Sequence, residues 1–356
     1  MNQITFIIPC YRAANTMRRT LDSICGQSDA DWKAIIINDG SPDRETDTIA
    51  CEYAERDPGR ISYVKQENLG LGGARNTGLR EVETAYVMFL DADDWLMPEF
   101  VERFHEEIGK AKVQPDLIYT LPQVWDEVTG GLSPFMDADL FAKIFPVSGS
   151  MVCPKKKREI FQLEVNASRK IYRRQFLTET GFSFAEHTKW EDIIPHFELL
   201  HRAKYCIGLP DIGFYYRVGS EVQITAGGGA DRFQILPIFE KLWQMTETRE
   251  TLYLRYPVLR VMVRFSFWSV RVADTDVRGR LVEQLHEFFS RIPGKAIRAF
   301  YGQAFRQMSK RDAFQYLLFM YAIRRRHLCF LLNDYIWEEL AEKTVKKVLR
   351  SKGRVA

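Results

Sequence analysis

The first ninety residues alternate short β-branched runs with segments of helical period, and this alternation constrains the fold more than any other feature. Ile4 to Ile8 is a β-branched run ending at Pro9, and Met17 to Ile24 has a helical period. Ala34 to Ile37 reads as a second strand, ending in Asn38-Asp39-Gly40-Ser41. A helix is predicted from about Glu45 to Arg56, then a strand from Ile61 to Lys65. Gly73 to Val82 reads as a helix opening from a glycine-rich turn, and Ala85 to Leu90 as a fully apolar strand. Such repetition predicts an α/β fold, a mostly parallel sheet with helices on both faces. Ligands of these sheets bind beyond the carboxyl ends of the strands. Pro9-Cys10-Tyr11, Asn38-Asp39-Gly40 and Asp91-Ala92-Asp93 are all predicted at that edge, so three polar motifs converge on one crevice.

The pattern loosens after Pro98. Residues 120–160 read as loop-rich, and periodicity returns at Ile171 to Leu177 and Asp192 to Leu200. Gly227-Gly228-Gly229 reads as a linker. Beyond it the chain is helical in pattern, with apolar stripes such as Leu259, Val263, Phe267 and Leu281, Leu285, Phe288. The predicted division is a catalytic domain over 1–226 and a basic helical domain over 230–356. Charge follows the same division: residues 231–356 hold 24 Lys and Arg against 13 Asp and Glu, and the rest of the chain is acidic. With 356 residues a large core is available without disulfide or metal staples. The six cysteines are scattered, without metal-ligand spacing, and read as reduced thiols. No signal peptide and no membrane-spanning run is visible, so a cytoplasmic protein is expected.

Four motifs carry chemistry. Asp91-Ala92-Asp93-Asp94 follows the strand Val87-Met88-Phe89-Leu90. Carboxylates at a buried strand's end suit a hard divalent cation that also binds phosphate oxygens, with a solvated helix-capping turn as the plain alternative. Asp39 is placed to accept hydrogen bonds from a base or ribose, while the plain reading is a βα turn with Ser41 as helix N-cap. The run Asn68 to Gly78 places glycines and Arg75 where backbone N–H groups can approach phosphate. It has neither Walker A nor dinucleotide-fingerprint spacing. Glu191-Asp192 precedes Ile193-Ile194, a position for a general base, or for acids that simply favour a helix start.

Ile-Ile-Pro-Cys-Tyr, Asn-Asp-Gly-Ser-Pro-Asp, Gly-Gly-Ala-Arg-Asn-Thr-Gly-Leu and Phe-Leu-Asp-Ala-Asp-Asp, in this order and spacing, resemble family 2 of the glycosyltransferases. The resemblance covers residues 3–110 and continues more weakly to about 225, through Lys170-Ile-Tyr-Arg-Arg, Glu191-Asp192 and Tyr215-Tyr216-Arg217. It implies the GT-A fold, with a nucleotide-binding part over 1–110 and an acceptor-binding part over 111–226. It further implies inverting, non-processive transfer from a nucleotide-diphospho-sugar, a UDP-sugar favoured, to a glycan or lipid-linked acceptor. By this resemblance Pro9, Tyr11 and Asp39 serve the base, and Arg75 lies near base or phosphates. Asp91 contacts the ribose, with Ala92 beside it, and Asp93 binds Mn²⁺ or Mg²⁺ on the diphosphate. Asp192 is the base, Glu191 positions the acceptor, and Arg217 approaches the diphosphate. Two departures stand out: Arg12 replaces an asparagine usual after the tyrosine, and Asn38 a frequent first aspartate.

The basic half admits two readings. Arg324-Arg325-Arg326 and the Lys343 to Arg354 tail would contact an anionic membrane, or the region is a helical accessory or homodimerisation domain with a solvated basic face. The second is favoured, and no nucleic-acid role is expected. Two other classes stay open on this fold. A nucleotidyltransferase would carry a Gly-x-Gly-x-x-Arg-like loop after its first strand, where this chain has Pro-Cys-Tyr-Arg. A sugar-nucleotide-binding protein would have lost the base or the metal acid, and both are present.

Overall fold

The structure, a computed structural model, describes residues 3–219 and 227–325. The chain divides between Gln223 and Ile224 into two compact units.

The first unit is built on one mixed sheet. In chain order its elements begin with β1 (Ile4–Cys10), α1 (Met17–Cys25), β2 (Trp32–Asp39), α2 (Arg44–Arg56), β3 (Ile61–Gln66), α3 (Gly70–Arg80) and β4 (Tyr86–Phe89). Then come β5 (Trp95–Leu96), α4 (Phe100–Lys110), β6 (Leu117–Asp126), β7 (Leu132–Pro134) and α5 (Ala138–Ile144). The unit ends with β8 (Lys170–Arg173), α6 (Arg174–Thr180), α7 (Ile193–Arg202) and β9 (Cys206–Val218). The strand order is β3-β2-β1-β4-β8-β6-β9-β5, with β7 on β6. The α/β expectation holds, and the first four strands are parallel as the repetition predicted. The sheet then turns mixed, because β8 runs antiparallel to both β4 and β6. The 120–160 stretch is less irregular than expected: β6 passes through its start, and β7 and α5 follow.

Both faces of β1 are buried, which is why its sequence is a continuous apolar run rather than an alternation. Ile4, Phe6 and Ile8 join the core beneath α1 and α4, where the rings of Phe6 and Phe100 lie 6.1 Å apart. Ile7 points the other way, towards Gly78 of α3. Pro9 brings no ladder N–H, and it sits beyond the last β1–β4 pair, Ile7 with Phe89.

The glycines of 70–78 lie within α3 rather than before it. A Cβ on Gly72 would stand 2.1 Å from the carbonyl oxygen of Ala185, and one on Gly78 would stand 2.5 Å from Ile7 Cγ2. Gly72 and Gly78 let α3 approach the 184–187 segment and β1. Gly72→Ala is therefore expected to destabilise the unit by about 1–3 kcal/mol, as overpacking does. Chemical denaturation measures this, and an unchanged midpoint would contradict the close approach.

The second unit is helical: α8 (Ile235–Gln244), α9 (Arg255–Val272), α10 (Thr275–Arg291), α11 (Gly294–Gln307) and α12 (Lys310–Ile323). Leu259 and Val263 of α9, and Leu281 and Leu285 of α10, are fully buried, as their stripes predicted. The glycine triplet lies inside this unit, not between the two: the Asp274 N–H donates to Gly228 O at 2.9 Å. Arg324, which the less favoured of the two readings put on a membrane-facing patch, donates to the carbonyls of Ile292, at 2.9 Å, and Phe289. It thus adds a side-chain donor at the end of α10, where Phe289 O also accepts the Ile292 N–H at 3.3 Å. Arg326 and the Lys343 to Arg354 tail lie outside the described residues. No helix among the described residues is long and apolar enough to cross a membrane.

Candidate active site

The carboxyl edge of the parallel strands gathers most of the expected residues. β4 ends at Phe89, and the tight turn that follows (Asp94 N–H to Asp91 O, 3.1 Å) presents Asp91 and Asp93 while burying Ala92 and Asp94. The Ala92 side chain belongs to the core, so it offers a ligand only backbone atoms. Asp93 is half-buried. Burial, reinforced by the charge of Asp91, pushes its carboxyl up to about 6, against the opposing pull of Arg217.

Arg75 organises the crevice. It projects from the middle of α3 with only 1% of its side chain exposed, and it meets three carboxylates from two distant parts of the chain. Its Nη2 donates to Asp91 Oδ1 at 2.8 Å, and its Nη1 donates to Glu191 Oε1 at 2.9 Å and Asp192 Oδ1 at 2.7 Å. Burial alone would lower the guanidinium's pKa; Asp192, Asp91 and Glu191 outweigh it and raise it. Both of its forks point at protein carboxylates. Arg75 is therefore an internal brace between the two acidic motifs.

Glu191 is buried. Burial, then the negative charge of Asp192, push its carboxyl well above the usual range, while Arg75 opposes the shift. Asp192 is the N-cap residue of α7, without a side-chain capping bond. Its carboxylate turns into the crevice instead, where Oδ2 accepts the Ala167 N–H at 3.0 Å. With 19% of its side chain exposed, Asp192 remains open to an incoming hydroxyl.

At the other end of the crevice Asp39 is buried, and its Oδ1 accepts from Gln66 Nε2 at 2.7 Å and from the Leu69 N–H at 2.8 Å. Gly40 follows at φ +69°, a left-handed conformation that only glycine adopts freely. Ser41 is not the cap of α2: Asp43 is, accepting the Thr46 N–H at 2.8 Å. Ser41 Oγ instead accepts the N–H of Arg12 at 3.0 Å. Arg12 itself lies at φ +52°, a region asparagine enters more readily than arginine, which gives a physical reason for the asparagine usual at this place. Pro9 is buried in β1, whereas Tyr11 is 47% exposed, with the Arg12 guanidinium 5.4 Å from its ring centre.

Two residues were missed. Asp94 is buried, and its Oδ1 accepts the N–H of Arg217 at 3.0 Å, tying β9 to the acidic turn. Tyr216 faces the crevice, where burial and the carboxylates of Asp94, Asp91, Asp93 and Asp192 push its phenol up. Both stand inside motifs read from the sequence, Asp91-Ala92-Asp93-Asp94 and Tyr215-Tyr216-Arg217, but without a role of their own. The guanidinium of Arg217 pairs with Glu127 and acts on Asp93.

The residues present fit a shared cation rather than a protein-only cage. No cluster of three metal-ligating side chains exists among the described residues. Asp93 and Asp91 are hard oxygen donors whose mutual repulsion a divalent ion would relieve, with substrate phosphate oxygens completing its shell.

Residues 5–120 match the family model described as Glycosyl transferase family 2. This segment belongs to glycosyl transferase family 2. Among curated relatives, glycosyltransferase GlyA of Streptococcus pneumoniae is 42% identical over 107 residues, covering 30% of this chain and 15% of that protein. The uncharacterized glycosyltransferase EpsJ of Bacillus subtilis is 38% identical over 104 residues, covering 29% of this chain and 30% of that protein. The matches thus span less than a third of these relatives' own length. The crystal structure of S. aureus TarS residues 1–349 with UDP-GlcNAc superposes with a TM-score of 0.72 at 16% identity, covering 96% of this chain and 92% of that one. The mannosyltransferase PcManGT from Pyrobaculum calidifontis, with GDP-Man and Mn²⁺, gives 0.52 at 14% identity, covering 93% and 86%. At these identities the likeness establishes the fold, which is the GT-A fold of the family.

Proposed function

We propose that the chain is an inverting, metal-dependent glycosyltransferase that moves one sugar per encounter from a nucleotide-diphospho-sugar to an acceptor hydroxyl, and that residues 1–226 carry this chemistry. One observation supports the reading above others: Arg75 joins Asp91 to Glu191 and Asp192, so the donor-side acids and the candidate base share one crevice although about a hundred residues separate them. A binding protein has no need of an open carboxylate opposite the donor acids.

Pro9, Tyr11 and Asp39 line the base end, and Asp91 contacts the ribose. Asp93 would hold Mn²⁺ or Mg²⁺, which when bound supplies positive charge for the leaving diphosphate. Arg217, beside Asp93, adds a further cation there. Asp192 takes the acceptor hydroxyl proton while that oxygen forms its bond to the anomeric carbon and the bond to diphosphate breaks. Burial and the charge of Asp192 favour the protonated form of Glu191, which limits the negative charge next to the base. A UDP-sugar is the favoured donor, since the TarS structure holds UDP-GlcNAc; a glycan or lipid-linked chain is the acceptor. The second unit is read as an accessory helical domain.

Thermal shift with UDP-, GDP- and dTDP-sugars plus Mn²⁺ tests the donor. Ligand at a hundredfold over its Kd adds about 2.7 kcal/mol, expected as a shift of about 5–10 °C. Asp93→Ala should abolish the Mn²⁺-dependent part of the shift. No shift with any sugar nucleotide, or an Asp93→Ala protein that responds like the wild type, would remove the donor-site reading.

A further inference from the structure

We propose that Lys170 is a positioning residue for Asp192, fixing the base through the short irregular segment that supplies one of its two hydrogen bonds. The inference rests on Asp192 being the base.

Lys170 opens β8 and is 2% exposed. Its ammonium donates to Val165 O at 2.9 Å and to Asn166 O at 2.7 Å. The next peptide N–H, that of Ala167, is the donor to Asp192 Oδ2. Residues 164–166 lie in no helix or strand, so their backbone groups depend on side chains for partners. Further contacts of this stretch come from the same neighbourhood. The Glu164 N–H donates to Asp137 Oδ2 at 2.7 Å, and that oxygen also accepts Arg169 Nη1 at 2.6 Å. Tyr172 OH donates to Ala167 O at 3.4 Å.

Filling the volume alone does not explain a lysine. Burial pushes its ammonium down to about 7, a cost that a methionine would avoid. What methionine cannot supply is a pair of donors for two adjacent carbonyls. Without them the carbonyls of Val165 and Asn166 lose these donors and the 164–167 segment is held mainly at its ends, so Asp192 would keep Arg75 while its second contact loosens. A carboxylate held at one oxygen can rotate, and misplacement of a reacting group by about an ångström costs about a hundredfold in rate.

The test uses the full chain and Lys170→Met. Hydrogen exchange should show protection at 164–167 lost in the variant, a readout that needs no ligand. Turnover is read as nucleotide release from whichever of UDP-GlcNAc, UDP-glucose, GDP-mannose or dTDP-glucose gives the largest thermal shift with Mn²⁺, using water as acceptor. The expected result is a fall in kcat of about ten- to a hundredfold, with donor affinity within about twofold. In an Asp192→Asn background the same substitution should have almost no further effect, since residues acting as a unit are non-additive. Ala167→Pro removes the N–H itself at the first position of a 3-10 turn, where proline is tolerated. It should reproduce the kcat loss, and it replaces Lys170→Met if that variant does not fold. Unchanged exchange, unchanged kcat, or an equal loss in both backgrounds would overturn the proposal. If Asp192→Asn turns over like the wild type, the base assignment itself fails, and that result is distinct from all three.

Discussion

Arg75→Met is expected to destabilise the first unit by about 3–5 kcal/mol, the usual result of removing one partner from a buried ion pair. The substitution keeps volume but leaves Asp91, Glu191 and Asp192 facing one another around an apolar side chain. Arg75→Lys should recover only part of the loss, because one ammonium cannot replace a planar fork that reaches Asp91 on one side and the Glu191–Asp192 pair on the other. The pH dependence gives a sharper test. Glu191 already has a folded-state pKa above its ordinary value, so the folded state binds its proton more tightly than the unfolded state. Such a group's contribution is complete below the unfolded pKa and is lost as pH rises through the folded one. Without the guanidinium, which opposes the Glu191 shift, that shift should grow. The deficit of Arg75→Met relative to wild type should therefore be larger at pH 8 than at pH 5. Denaturant melts at both values measure this; a deficit under about 1 kcal/mol, the worth of an exposed pair, at either pH would mean that solvent screens the network.

This brace also explains where sequence reasoning stopped. The parallel half of the sheet was legible because β1, β2 and β4 are buried on both faces and read as unbroken apolar runs between polar turns. The acidic turn after β4 was legible for the same reason. The direction of Arg75 was not. A helical arginine beside glycines suggests phosphate as readily as carboxylate, and only the fold brings residue 191 within 3 Å of residue 75. The packing role of the glycines was hidden similarly: nothing local to Gly72 reveals that the Ala185 carbonyl lies where its Cβ would be. β6 was hidden because its outer half is only partly buried and contains Pro122, so it carries no clean period. Lys170 stood in a quoted motif without a role, since its partners, two backbone carbonyls, leave no trace in side-chain identity.

Asp192→Asn is expected to lower kcat by about 10²–10⁴, the range for losing a general base, with donor affinity retained. The substitution is not structurally silent here. Both Asp192 oxygens accept: one from Arg75 Nη1, the other from the Ala167 N–H. An asparagine must turn its NH₂ towards one of these donors, leaving it unsatisfied at about 1–3 kcal/mol. A lower melting temperature alone therefore says nothing about catalysis. The decisive comparison is between donor affinity, measured by calorimetry with Mn²⁺, and single-turnover transfer. A base acts only when the acceptor proton moves, so affinity should hold within a few fold while transfer collapses. Asp192→Glu sharpens this further: it keeps a carboxylate but moves it by a methylene, and it should fail in transfer because the Arg75 and Ala167 contacts fix the reach of the shorter acid. A collapse of affinity together with transfer would assign Asp192 to donor binding. Transfer within about tenfold of wild type, less than the smallest loss a missing base produces, would require another group in the crevice as base, and Glu191 and Tyr216 are the next to test.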